Sequence, residues 1–208
     1  MSATTAVILA PRYLGTVEYY AAMASCPVAV IDVAMRHDKR FKHAHRTVIA
    51  GNAGPLQLTV PVAHGPGQVT WQHVAVSDHN HWWEQHTAAI ASAYGRCPYF
   101  EHYFPLISGF LTAEAAGQSV VSLDTRLDAA IRRILGMPTR LSATVPAGVE
   151  AIDLRTDAAL SAAFSVAPYR QLRQDKFGFL PGMSILDIIF NLGPNALAHL
   201  TNPQPSKT

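Results

Sequence analysis

Charge is scarce in this chain. Asp, Glu, Lys and Arg make up 14% of its 208 residues, against ~25% in an ordinary soluble domain. The 16 basic and 14 acidic side chains leave a net charge of +2, and the basic residues are scattered, which argues against the clustered electrostatic footprint of a nucleic-acid binder. Cysteine is scarcer still. Cys26 and Cys97 stand alone, too few for a disulfide framework and not in a C-x-x-C pair, so two reduced, buried thiols are expected rather than a redox or zinc-ribbon site. No stretch approaches the ~20 apolar residues of a membrane span. Residues 1–10 carry neither a basic segment nor an apolar run of signal-peptide length, and a soluble, cytoplasmic protein is expected. Also missing are a Walker-type phosphate loop, a G-x-G-x-x-G after a strand and a G-x-S-x-G elbow, which argues against the nucleotide folds and esterases that use them.

What the chain does have is apolar mass, 49% of its residues, enough to bury the core of one domain. Residues 5–10 read as a buried strand ended by Pro11, 17–25 as a helix and 28–33 as a second strand; this order predicts a parallel pair with a crossover. The loop Ala10-Pro-Arg-Tyr-Leu-Gly15 then lies at the carboxyl end of the first strand, where open α/β sheets bind ligands. Residues 46–51 and 55–61 flank Asn52-Ala-Gly54 and predict a hairpin. His64-Gly-Pro-Gly67 reads as a second turn and 72–76 as a further short strand. Helices are predicted over 80–95, 100–111 and 123–135, the last stopped by Gly136 and Pro138. Residues 140–145 read as a short strand, 146–168 as a loop or weak helix, 185–200 as a closing helix and 203–208 as a disordered tail. The fold class expected is α/β: a single domain over residues 1–202 with a mostly parallel open sheet flanked by helices, plus a β-hairpin, with α+β as the alternative.

Several polar groups stand out. His37, His43 and His45 form one histidine cluster, and His73, His79, His81 and His86 another. H-x-H pairs share a face of an extended chain, but a metal needs ligands converging on one point, with Asp38 or Asp78 as oxygen donors; solvated or substrate-contacting histidines are favoured, and no metal is assigned. Trp82 and His86 lie one helical turn apart, and Ile90 and Tyr94 continue their stripe. Two accounts stand side by side: a packed helix with a satisfied imidazole, or His86 as a general base. Arg46 follows a basic stretch containing Lys39, Arg40 and Lys42, read either as a solvated loop or as an anion clamp for phosphate or carboxylate. Ser184-Ile-Leu-Asp187 is close to a capping box, with Ser184 as the cap. Asp187 and Asn191 share a helix face, so that helix is either a capped core element or one wall of a polar site; capping leaves Tyr169, Gln171 and Asn191 unexplained.

Taken in order, these segments resemble the WbqC-like family. The resemblance rests on Arg46 and Ile49; Asn52 and Gly54; Leu58, Pro61 and Val62; Trp82 and His86; Ala93-Tyr94; Pro98, Phe100 and Glu101; Tyr169 and Gln171; Gly178-Phe179; and Ser184, Asp187, Phe190, Asn191, Gly193 and Pro194. It covers roughly residues 5–200. His45 stands where the family pattern has Asn, and residues 32–44 match it poorly. The resemblance implies a transferase of an acyl, aminoacyl or amino group acting on an activated sugar in cell-surface polysaccharide (O-antigen) synthesis. His86 would serve as base, Arg46 would hold an anionic group, and Asp187 with Asn191 would orient hydroxyls or His86. Trp82, Tyr94, Glu101, Tyr169 and Gln171 would complete the substrate site. The partner implied is a small molecule, a nucleotide sugar or an acyl donor; no cofactor is named. The rival reading is a non-catalytic small-molecule or carbohydrate-binding protein, or a biosynthetic scaffold, with Trp82, Tyr94 and Tyr169 as stacking surfaces.

Overall fold

In the computed structural model, residues 5–38, 41–63 and 70–202 are described; Lys39, Arg40, the turn expected at His64-Gly-Pro-Gly67 and the tail expected over 203–208 lie outside them. The opening is strand–helix–strand. β1 (Thr5–Leu9) and β2 (Val28–Ile31) pair in parallel, Ala6 opposite Val28 through Leu9 opposite Ile31, with α1 (Val17–Ala24) as the crossover. Thr16 caps α1, its hydroxyl accepting from the Tyr19 N–H at 3.3 Å, which satisfies one of the donors left free at a helix start.

The hairpin forms as predicted, from β3 (Arg46–Gly51) and β4 (Gly54–Thr59). Gly51 pairs with Gly54, so Asn52 and Ala53 alone make the turn, and Gly54 supplies a φ of 110° that an L side chain resists. The predicted strand at 72–76 is instead a 3-10 turn, Trp71–His73, followed by single bridges from Ala75 to Ser119 and from Val76 to Val62. The helix predicted from residue 80 starts at Trp82, as α2 (Trp82–Tyr94), because Asn80 and His81 sit at φ 58° and 45°, outside the helical region. α3 is Phe100–Ser108 and α4 is Val120–Leu135. Ser119 caps α4 through the Ser122 N–H, and Gly136 ends it in the left-handed conformation, a usual way to stop a helix.

The segment read as loop or weak helix contains real structure. After β5 (Arg140–Leu141), which extends the sheet beside β2, the chain forms β6 (Glu150–Asp153) and α5 (Asp157–Ala163). β6 pairs in parallel with β1, Thr5 opposite Glu150 through Ile8 opposite Asp153, giving a four-stranded parallel sheet in the order β5-β2-β1-β6. Three of its four residues are exposed, so the strand carries no apolar run. The chain thus leaves β1 toward β2 and β5, then returns to β1's other side. Order reverses between β1 and β6, and the carboxyl ends at such a switch are where open α/β sheets form crevices.

The short α6 (Gln174–Phe177) precedes α7 (Ile185–Leu192), which the 3-10 turn Gly193–Asn195 separates from α8 (Ala196–Leu200). Gly193 has φ 54°, and a Cβ there would meet the Tyr99 ring at 2.5 Å; only glycine fits. α1 packs on α5, α7 and α8, while α2 lies along β3. The result is a single α/β domain with a parallel sheet, flanking helices and a separate antiparallel hairpin.

α4 turns Leu123, Leu127 and Ile131 inward, but Asp124 and Asp128 with them. Asp128 is held by Arg132 Nε at 2.8 Å. Asp124 is 2% exposed and neither of its oxygens has a partner. Burial, then the neighbouring Asp128 charge, pushes its pKa well above the usual carboxylate range, so the native state keeps a proton that the unfolded chain loses from about pH 4 upward. Native protein therefore binds more protons, and this group lowers stability as pH rises through that window. We expect Asp124→Asn to match the wild type near pH 4 and to raise Tm increasingly toward pH 8, by up to about 1.4 kcal/mol per pH unit while only the unfolded carboxyl titrates. Asp128 and Asp187, also raised by burial, would leave part of the slope. Thermal unfolding across pH checks this.

Candidate substrate cleft

At the β1–β6 switch lies a cleft of about 560 Å³, within the usual range for small-molecule sites. The loop after β1 supplies Arg12, Tyr13, Gly15 and Thr16 to its lining, and α5 supplies Asp157, Leu160 and Ser161. Lys42, His43 and Arg46 come from the basic stretch and the start of β3, and Pro181 and Gly182 from the loop before α7. The charged lining is three cations, Arg12, Lys42 and Arg46, against two carboxylates, Glu18 and Asp157.

The loop after β1 is pinned on three sides. Tyr13 N–H donates to the His43 carbonyl at 3.0 Å, and Ile185 N–H to the Gly15 carbonyl at 2.8 Å. The Leu14 carbonyl accepts both the Thr47 hydroxyl at 2.9 Å and the Ser184 hydroxyl at 3.0 Å. Arg12 is thereby buried beside the cleft, its side chain 3% exposed, with Nη1 2.6 Å from Asp157 Oδ1. Its guanidinium lies over the Tyr19 ring, yet its Nε and Nη2 have no partner, and neither does Arg46 Nε. Asp157 Oδ2 lies 3.6 Å from His43 Nδ1, too long for a hydrogen bond. His43 and Arg12 hold the Asp157 carboxyl well below the usual carboxylate range. Burial, then the Arg12 charge, lowers the His43 pKa below its ordinary 6.5, so its imidazole is neutral at pH 7.

His86 sits one layer deeper. It is 4% exposed, with the Tyr13 hydroxyl 2.8 Å from Nδ1 and the Thr59 carbonyl as its backbone hydrogen-bond partner. An Nε2–H donated to Thr59 leaves Nδ1 to accept from Tyr13, so both nitrogens are used inside the protein. Burial lowers its pKa to about 4. Trp82 packs against both rings and donates its indole N–H to the Ser77 carbonyl.

A second polar cluster surrounds Asp187, which has no exposed surface. Its Oδ2 accepts from the Tyr169 hydroxyl at 2.5 Å and from Gln171 Nε2 at 2.8 Å. Gln171 also brackets Leu180, donating to its carbonyl and accepting from its N–H. The Tyr94 hydroxyl accepts from the Ala50 N–H at 2.9 Å and couples electrostatically to Asp187. Asn191 Nδ2 turns back to the Asp187 carbonyl, and its Oδ1 accepts from the Cys97 thiol, whose pKa burial pushes up to about 12. Ser184 does cap α7, but through the Leu186 N–H, 3.4 Å from its hydroxyl; Asp187 does not close a capping box, because the Ser184 N–H donates to the Val48 carbonyl at 2.7 Å, and Asp187 Oδ1 is left without a partner.

The nine sequence-derived residues therefore divide. Arg46 lines the cleft; His86 and Trp82 stand behind Tyr13; Tyr94, Tyr169, Gln171, Asp187 and Asn191 form the buried cluster; Glu101 is exposed on α3. Sequence reasoning missed Arg12 and Asp157 and gave His43 no role of its own. The signal for Arg12 was present: it lies in the loop after the first strand. Asp157 had none, since the strand before it is invisible in the pattern. Among the described residues no group of three or more His, Cys, Asp or Glu is placed to hold a metal ion, and no helix is long and apolar enough to cross a membrane.

A carboxylate that tied the core together would report in stability. We expect Asp187→Ala to leave the Tyr169 hydroxyl and one N–H of the Gln171 amide buried and unpaired, at about 1–3 kcal/mol each, and Tyr169→Phe to cost about 1–2 kcal/mol. Urea unfolding decides it; an unchanged midpoint for Asp187→Ala would remove the structural role.

No curated protein and no solved structure matches the chain. Residues 10–164 match the model of the WbqC-like protein family, a span that holds the loop after β1, the hairpin and the carboxylate of α5. On that match, which covers well over half its length, the chain belongs to the WbqC-like family.

Proposed function

We propose that this protein is a transferase that moves an acyl, aminoacyl or amino group in cell-surface polysaccharide synthesis, with the cleft at the β1–β6 switch as the site for an activated, anionic sugar. The association with polysaccharide biosynthesis comes from the family. The observation that carries the site is the set of three unpartnered guanidinium nitrogens on Arg12 and Arg46 at one cleft, because a buried donor without an acceptor calls for a ligand that supplies one. Leu160, Phe164, Val166 and Pro181 give the cleft apolar surface beside the charge, as a ligand with an anionic and a less polar part requires.

His43 supports the acid–base role better than His86. It lines the cleft and is neutral at pH 7, able to take the proton from an attacking amine or hydroxyl as the new bond forms to the transferred group. His86 acts at one remove, holding the buried Tyr13 ring behind the cleft through its hydroxyl. The Asp187 cluster is further away still: through Gln171 and Leu180 it sets the loop carrying Pro181 and Gly182.

A thermal-shift screen with nucleotide sugars and acyl-CoAs is expected to find a stabilising ligand, since binding to the native state alone raises Tm, and Arg46→Ala should weaken that shift. With the ligand in hand, His43→Gln is expected to lower kcat about 10²- to 10⁴-fold, and the acid limb of the wild-type rate should fall below pH 6.5, following the lowered His43 pKa. Binding without turnover under any acyl or amino donor would favour the carbohydrate-binding reading.

A further inference from the structure

Arg12 and Asp157 form an unequal pair. The guanidinium side chain is 3% exposed and the carboxylate 68%, so one partner is locked in the fold while the other stands in solvent. Arg12 is fixed between the Tyr19 ring and the pinned loop after β1. Asp157 opens α5, which has seven residues and follows the solvent-facing β6. Despite this pairing, Arg12 Nε and Nη2 and the neighbouring Arg46 Nε stay unsatisfied. A carboxylate offers only two oxygens; here one meets Arg12 and the other faces His43.

We propose that Asp157 is the resident counter-ion of a phosphoryl-binding seat built on Arg12, His43 and Arg46, and that a substrate phosphoryl group displaces it. This rests on the reading of the cleft as the substrate site. An oxyanion with three free oxygens can take over both Asp157 contacts and still reach an unpartnered guanidinium nitrogen, and a guanidinium fork matches it bidentately. Charge favours the exchange as well. With Asp157 turned out to solvent, a dianion faces Arg12, Lys42 and Arg46 with Glu18 as the one remaining carboxylate of the lining. Asp157 in turn keeps Arg12 from being a buried, uncompensated charge, a strongly destabilising state.

The test is calorimetry on the full chain at fixed ionic strength, with inorganic pyrophosphate and, as the carboxylate probe, malonate. Asp157→Asn removes the competitor and is expected to tighten pyrophosphate about tenfold, with malonate weaker throughout. Glu18→Gln removes an equal charge from the same cleft without freeing Arg12 and is expected to gain at most about twofold. Arg12→Gln, checked for folding by circular dichroism, should lose most pyrophosphate binding. Equal gains from Asp157→Asn and Glu18→Gln, or no gain from Asp157→Asn, overturn the exchange while leaving the cleft as an anion site. Stronger malonate binding overturns the phosphoryl assignment. Absence of anion binding in every protein overturns the seat and the cleft reading together.

Discussion

The carbonyl of Leu14 is where the two halves of the structure meet. It accepts one hydroxyl from the hairpin, Thr47, and another from the cap of α7, Ser184. Leu14 itself is held at φ 45°, a left-handed conformation that costs a non-glycine residue of order 1–3 kcal/mol. The cost is tolerated because the Tyr13, Gly15 and Val17 backbones are bound on either side, to His43, Ile185 and Met183. A relaxed loop would withdraw Arg12 from the cleft and Tyr13 from His86. The strain is thus what faces the buried guanidinium toward the switch between β1 and β6.

Two polar clusters have been built into this domain with opposite electrostatics. Around Asp187 the donors are answered: a hydroxyl, an amide and a helix backbone meet without solvent, and the cluster ties α2, β3 and α7 together, with Asp187 Oδ1 the acceptor left over. Around Arg12 the balance is left open, with cations in excess and guanidinium nitrogens unanswered at the edge of a cavity. A satisfied buried network specifies a fold, while an unsatisfied one beside open space is poised for a ligand. An aspartate sits at the centre of each cluster, so that residue's type alone could not have told them apart.

That is also why the sequence was legible only in part. The β1–α1–β2 opening, the hairpin at Asn52-Ala-Gly54 and the cap at Ser184 are local events, fixed by a few neighbouring residues, and they could be placed from pattern. Asp187 and Asn191 could be put on one helix face, but spacing says what shares a face and nothing of what stands opposite. There Tyr169 and Gln171, eighteen and sixteen residues upstream of Asp187, arrive from a loop without periodicity. β6 was invisible for a different reason. As an edge strand with Glu150, Ile152 and Asp153 exposed, it has no buried face to impose an apolar rhythm, and its place is set by hydrogen bonding to β1. Without β6 there is no switch point, and without the switch point Asp157 has no cleft to enter.

The low charge of the chain takes on meaning in this light. With 14% charged residues, few side chains are available to neutralise one another, and those near the cleft are unevenly matched. Arg155 answers Asp153, the last residue of β6, and Asp32, just past β2, at 2.7 Å each, closing that edge of the sheet with paired charge. On the other side of the same strand ends Arg12 shares one carboxylate with His43 and keeps two nitrogens idle. Both arginines are anchored by acids that follow parallel strands, yet only one is buried. For the half-buried Arg155, water can complete whatever the carboxylates leave unmet. For Arg12 water has little access, and the anchored guanidinium keeps its unused valence for whatever anion the cleft admits.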